Sequence, residues 1–111
     1  MAEVRKILFQ AAPSSGALTD LGTVPAAKEW IVSTLFACNR STAAGALRLA
    51  VASSSGVAAT GSHYLYYDVA IPANETLAIT AGLTLQASGV VRAYHNTSAF
   101  SFNAFGVEID V

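Results

Sequence analysis

His63-Tyr-Leu-Tyr-Tyr-Asp-Val-Ala-Ile71 runs into Pro72-Ala-Asn-Glu-Thr76 and then into Leu77-Ala-Ile79. A short aromatic and β-branched run, a turn built on Pro and Asn, and a second short run read as strand, turn, strand. The same alternation continues to the C-terminus through Gly82-Leu-Thr-Leu85, Gly89-Val-Val91 and Phe100-Ser-Phe-Asn-Ala-Phe-Gly-Val-Glu-Ile109. None of these runs has the length or the 3.6-residue period of a helix.

The reading extends upstream. Trp30 to Asn39 is the longest apolar run, and its Ile31, Val32, Thr34 and Phe36 favour a strand. Strict alternation would put Trp30, Val32, Thr34, Phe36 and Cys38 on one face and Ile31, Ser33, Leu35 and Ala37 on the other. Leu47, Leu49 and Val51 alternate with Ala46, Arg48 and Ala50, so Arg48 should point outward. Val4 to Gln10 reads as a first strand. The Pro13-Ser-Ser-Gly16 loop follows, then an extended connection to Pro25. Downstream, Val90 to His95 and Ala99 to Val111 read as the last two strands. In the final one, Phe100, Phe102 and Ala104 have one parity and Phe105, Val107, Ile109 and Val111 the other. A bulge near Ala104-Phe105-Gly106 would turn both sets inward. On this reading Trp30 or its opposite-parity neighbours, with Phe36, Leu47, Leu49, Val51, Leu65, Val69, Ile79, Phe102, Phe105 and Ile109, form the core.

Seven or eight strands at this spacing predict an all-β fold, a single antiparallel sandwich of jelly-roll-like or immunoglobulin-like type. The 111 residues suffice for one domain. Residues 1–20 form an N-terminal strand and loop that could dock as an arm, and residues 21–111 form the sandwich. Val4, Ile7 and Phe9 are the arm's interface candidates.

Charged residues make up 12% of the chain, about half the usual share, and 53% is hydrophobic, so some apolar surface should meet another subunit. The six Lys and Arg are scattered, and only Arg5-Lys6 is a pair. Nucleic-acid binding would need a basic cluster. No run reaches the ~18 apolar residues of a membrane helix, and the N-terminus lacks the apolar core of a signal peptide. Synthesis in a cytoplasm and no membrane partner are the expectations.

No chemistry-bearing constellation emerges. Cys38 is the single cysteine and reads as a small buried thiol, so neither a disulfide nor a thiolate zinc site is expected. His63 and His95 stand alone, without metal-ligand spacing. Gly61-Ser62-His63 lacks the strand–turn–helix setting of a nucleophile. Glu108 and Asp110 share a parity, read as outward-facing, and suit charges that guard an edge strand. No catalytic residue, metal or other cofactor is expected. Tyr64 and Tyr66, with Asp68 beside them, share one face of a strand and suit a protein interface or a sugar-stacking platform. Asn39-Arg-Ser41, Asn74-Glu-Thr76 and Asn96-Thr-Ser98 are N-x-S/T triplets, each in an expected turn.

Thr23-Val-Pro25, Cys38-Asn-Arg40, the strand bearing Arg48, His63 to Asp68, Ile71-Pro-x-Asn-x-Thr76, Gly82 to Leu85 and Phe102-x-x-Phe-Gly-x-Glu-Ile109, in this order, resemble small virion structural proteins of tailed bacteriophages. The resemblance covers residues 21–111. It implies a β-sandwich subunit of the particle, on the head surface or at tail, baseplate or fibre attachment. It brings no catalytic or ligand-binding residues with it. The expected partners are other virion proteins and the chain itself, as a homotrimer or another closed ring. A carbohydrate-binding module for host adhesion, using Tyr64 and Tyr66, is the alternative.

Overall fold

The computed structural model describes residues 2–80 and 82–111. Nine strands are present among them: β1 (Glu3–Ala11), β2 (Thr19–Thr23), β3 (Lys28–Asn39), β4 (Gly45–Ala52), β5 (Tyr64–Ile71), β6 (Thr76–Ile79), β7 (Leu83–Leu85), β8 (Val90–His95) and β9 (Phe100–Asp110). They form two antiparallel sheets facing one another, a β-sandwich as the sequence predicts. One sheet runs β1-β9-β3-β6, with β7 also on β3; the other runs β2-β8-β4-β5. The extended connection before Pro25 contains β2, and the Gly82–Gly89 connection contains β7. Both are short, and Asp20 and Gly22 interrupt β2, which is why alternation alone passes over them.

The core lies between the sheets. Phe100, Phe102, Leu35, Leu47 and Leu49 are its largest fully buried apolar residues, joined by Trp30, Val32, Ile79 and Val91. Its composition departs from strict alternation in several places. In β3 the pairing with β9 shifts between Val32 and Thr34, leaving Ser33 as an extra residue. In β1 it shifts between Ile7 and Phe9, leaving Leu8 extra. These two bulges flank β9, which keeps an unbroken alternation. The expected bulge at Ala104–Gly106 therefore sits in the neighbours instead. Phe102 and Ala104 face inward, while Phe105, Val107 and Ile109 face outward and are half-buried. After Ser33, Leu35 and Ala37 take the core side, and Phe36 and Cys38 go outside. Cys38 is thus a half-buried thiol on an outer face.

Strand β5 carries two more bulges. Leu47 pairs with Val69, Leu49 with Tyr66 and Ala50 with Tyr64. Leu65 and one residue of the Tyr67-Asp68 pair are therefore extra. Asp68 adopts a left-handed backbone, φ 55°, which Asp tolerates better than most residues. Leu65 consequently lies exposed, although alternation would bury it.

Strand β1 pairs with β9 of its own chain from Glu3↔Ile109 to Ala11↔Phe102. The following loop is tied back by Gly16 N–H to the His95 carbonyl and by His95 Nε2 at 2.8 Å from the Pro13 carbonyl. His95 is buried against Phe100, with stacked rings 4.9 Å apart.

Candidate interaction surfaces

Two outer faces remain once the core is closed, and they differ in chemistry. On the five-stranded sheet, the outward residues form cross-strand rows. Arg5, Val107 and Ile31 make one row, Ile7, Phe105 and Thr34 the next, and Gln10, Asn103 and Phe36 the third. Ile7 is 49% exposed and Ile31 39%. Phe36 meets Phe105 edge to face, centroids 5.9 Å apart. Neither ring belongs to the core cluster or packs against it. The polar groups between them are already engaged: Ser33 Oγ donates to the Phe105 carbonyl at 3.0 Å, and Gln10 Nε2 donates to Asn103 Oδ1 at 2.8 Å. The middle rows of the face are largely apolar; Glu3 and Glu29 flank Ile109 at one end with Arg5 one row in, and exposed Arg40 follows Cys38 at the other.

The outer face of the four-stranded sheet is aromatic and ionic. Arg48 on β4 lies beside Tyr94 on β8 and opposite the β5 bulge. Its guanidinium sits over Tyr67 at 4.1 Å and over Tyr94 at 4.7 Å. Its Nε donates to Asp68 Oδ1 at 2.6 Å and its Nη2 to Asp68 Oδ2 at 3.3 Å. This fork holds the Asp68 carboxyl below its ordinary range, through the hydrogen bond first and the charge second. Tyr64 meets Tyr67 edge to face at 5.0 Å. Part of this outer face is covered by the Ser53–Ser55 turn, which Arg92 anchors. Arg92 donates to the Ser55 and Ser54 carbonyls and to Asp20, and is itself buried.

Five residues stand as interface candidates from the sequence. Val4 is 53% exposed and Ile7 lies in the apolar rows. Phe9 is buried against Trp30 because the Leu8 bulge turns it inward. Tyr64 lies outside beside Tyr67, whereas Tyr66 packs against the core. The two β5 bulges exchange the partners, so Tyr67, 57% exposed, takes the outer position that simple alternation gives Tyr66. Tyr94, Phe36 and Phe105 complete the two surfaces. Tyr94 could have been found from the alternation of β8; Phe36 and Phe105 depend on the β3 bulge, whose one mark in the sequence is Gly106 on the facing strand.

The remaining chemical candidates are structural. Among the described residues no three His, Cys, Asp or Glu side chains converge on a point. His63 Nδ1 accepts from the Thr60 N–H, closing a short turn in which Thr60 Oγ1 and Ser62 Oγ pair. Glu108 and Asp110 have inward parity, contrary to expectation, at an end of the sandwich that the second sheet leaves uncovered. Glu108 accepts from the Trp30 indole at 2.9 Å and pairs with Lys6; Asp110 pairs with Lys28. The Trp30 hydrogen bond, then Lys6 and Lys28, hold Glu108 below its ordinary pKa. Lys28 does the same for Asp110. Asn39 closes β3 rather than starting a turn: its Nδ2 donates to the Ala43 and Ile71 carbonyls, and its Oδ1 accepts from Ser41 N–H and Oγ.

No protein-family model matches the chain, and no curated protein matches it either.

Proposed function

We propose that this chain is a non-enzymatic structural subunit of a tailed-bacteriophage particle. It is made in the bacterial cytoplasm and works as an accessory protein by self-association and by contact with other virion proteins. The observation that carries this reading is the uncovered apolar face of the five-stranded sheet, with Ile7, Ile31, Phe36, Phe105 and Val107 outside. A soluble monomer seldom leaves a connected apolar patch of this kind in water; such patches mark interaction sites. The topology supports it. With β6 and β7 taken as one strand, the pairs are first with eighth, second with seventh, third with sixth and fourth with fifth. This is jelly-roll wrapping, used in viral capsid and lectin domains. The resemblance of residues 21–111 to small virion proteins selects the first of these.

Mass spectrometry and immunogold labelling of gradient-purified particles test the reading. The expected result is the chain at a fixed copy number, on the head or at the tail. A chain found free in the lysate and missing from washed particles would overturn it.

The aromatic face supports a second reading, glycan binding in host adhesion, because Tyr67 is the most exposed aromatic residue beside a fixed Arg–Asp pair. The Tyr64/Tyr67 pair is edge to face rather than coplanar, and Arg48 already occupies one face of Tyr67, which makes a poorer stacking platform. A glycan array separates the two: sugar binding lost on Tyr67→Ala would favour adhesion.

A further inference from the structure

We infer that the outer face of the five-stranded sheet docks a second copy of this chain, the two faces stacking with strands antiparallel about a two-fold axis close to Phe105. The inference rests on the assembly reading above and names its partner and geometry.

Edges are poor routes to association here. Strand β1 is interrupted by the Leu8 bulge and carries Arg5 and Lys6. Strand β2 shifts register between Asp20 and Gly22, and β5 bulges twice. Strands β6 and β7 are four and three residues long. Bulges, cations and short strands are the devices that block edge-to-edge pairing. Contact therefore falls to the faces. The aromatic face is partly covered by the Ser53–Ser55 turn and has its charges internally paired, whereas the apolar face is open.

Size and symmetry point to a second copy. Strand β9 is roughly 35 Å long at ~3.4 Å per residue and the sheet roughly 19 Å wide, so the face presents on the order of 650 Å² before side-chain relief is counted. A stable interface uses about 800 Å² per partner. The two outer faces point in opposite directions, so docking one on the other would stack copies without closing. An apolar face on its own counterpart closes at two.

Charge fixes the orientation. Glu3 and Glu29 both lie in the end row with Ile109, on opposite sides of it. An axis along the strands would set Glu3 of one copy over Glu29 of the other. An axis across the strands, through the Ile7–Phe105–Thr34 row, sends that acidic row over Ser101 and Cys38 instead. It places Phe36 of one copy over Ile31 of the other, Gln10 over Arg5, and Phe105 near its own counterpart.

Sedimentation velocity on the full chain should give twice the 11.4 kDa chain mass. Val107→Asp should give a monomer with an unchanged circular-dichroism spectrum, and Tyr67→Asp should leave the dimer intact. Should Val107→Asp unfold, a Phe105→Cys, Cys38→Ser chain reads the same geometry. A bismaleimide spanning about 8 Å should link its copies near completion, since the backbones of stacked sheets lie about 10 Å apart, and Ile109→Cys in the same background should not link. A monomer at ~100 μM, an interaction weaker than ~5 kcal/mol, overturns the inference. So does a trimer, or a dimer broken by Tyr67→Asp and not by Val107→Asp. A dimer of this geometry that is missing from particles would overturn the virion reading and leave the docking face standing; a monomer that is found in particles would do the reverse.

Discussion

Two phenylalanines separated by two residues have opposite fates. Phe102 is fully buried between the sheets, and Phe105 is half-buried on the outside. Phe102→Ala should cost about 3–5 kcal/mol, from lost transfer energy and the cavity left behind. Phe105→Ala, measured on dilute protein by urea unfolding, should cost less, about 1–2 kcal/mol, because the ring lies on an open sheet face and its truncation leaves no enclosed cavity. Equal costs would mean that β9 is turned over. Asn39 is the polar counterpart of Phe102. It is fully buried, and one amide satisfies the Ala43 and Ile71 carbonyls and the Ser41 N–H and Oγ. Asn39→Ala strands these groups out of water, so a loss of about 2–3 kcal/mol in urea unfolding is expected. The triplet Asn39-Arg-Ser41 is therefore a capping device for the β3–β4 turn. Asn96 does related work, its Oδ1 accepting from the Ala46 N–H at 2.7 Å.

At the scale of elements, the sequence shows the strands clearly and their registers poorly. Val90–His95 is found with its observed bounds, and β1, β3, β4, β5, β6 and β9 to within two residues at each end, because apolar runs between Gly, Pro and Asn are local signals. Bulges are not local. Each depends on what the neighbouring strand presents, and each inverts the faces beyond it. That is why Phe36, Phe105 and Ile109 read as core and lie outside, and why Tyr66 and Tyr67 exchange roles. One residue does record a bulge. A Cβ on Gly106 would stand 1.9 Å from the Ile31 carbonyl oxygen and 3.1 Å from the Ser33 nitrogen. Glycine is needed where β3 crowds β9, on the strand opposite the extra residue. Gly106→Ala should destabilise by about 2 kcal/mol or more, since only backbone movement can relieve the clash. Ser33→Ala should be nearly neutral in the same urea series, as its hydroxyl makes one exposed bond.

At its uncovered end the whole molecule adds ion pairs to the backbone pairing of β1, β9 and β3. There the start of β1 and the end of β9 lie side by side: Asp110 N–H donates to the Ala2 carbonyl and Val111 N–H to the Ala27 carbonyl. Lys6 pairs with Glu108 and Lys28 with Asp110, and Trp30, the single tryptophan, donates its indole N–H to Glu108. The folded state lowers the Glu108 pKa from an ordinary 4.5 and the Asp110 pKa from 3.8. A carboxylate with a depressed folded value contributes stability that is fully present above its unfolded value. That contribution is lost as pH falls through the folded one. The urea midpoint, followed by Trp30 fluorescence, should therefore be level across neutral and mildly acid pH as far as these groups are concerned. It should fall once the solution is more acid than the ordinary Glu value. Glu108→Gln should flatten the upper part of that fall, because an amide oxygen still accepts from Trp30 and does not titrate. The remaining acid sensitivity would then belong to Asp110 with Lys28 and to Asp68 with Arg48, which are more exposed and contribute less. A wild-type midpoint that holds constant down to about pH 2.5 would show that this end of the sandwich is held by backbone pairing alone.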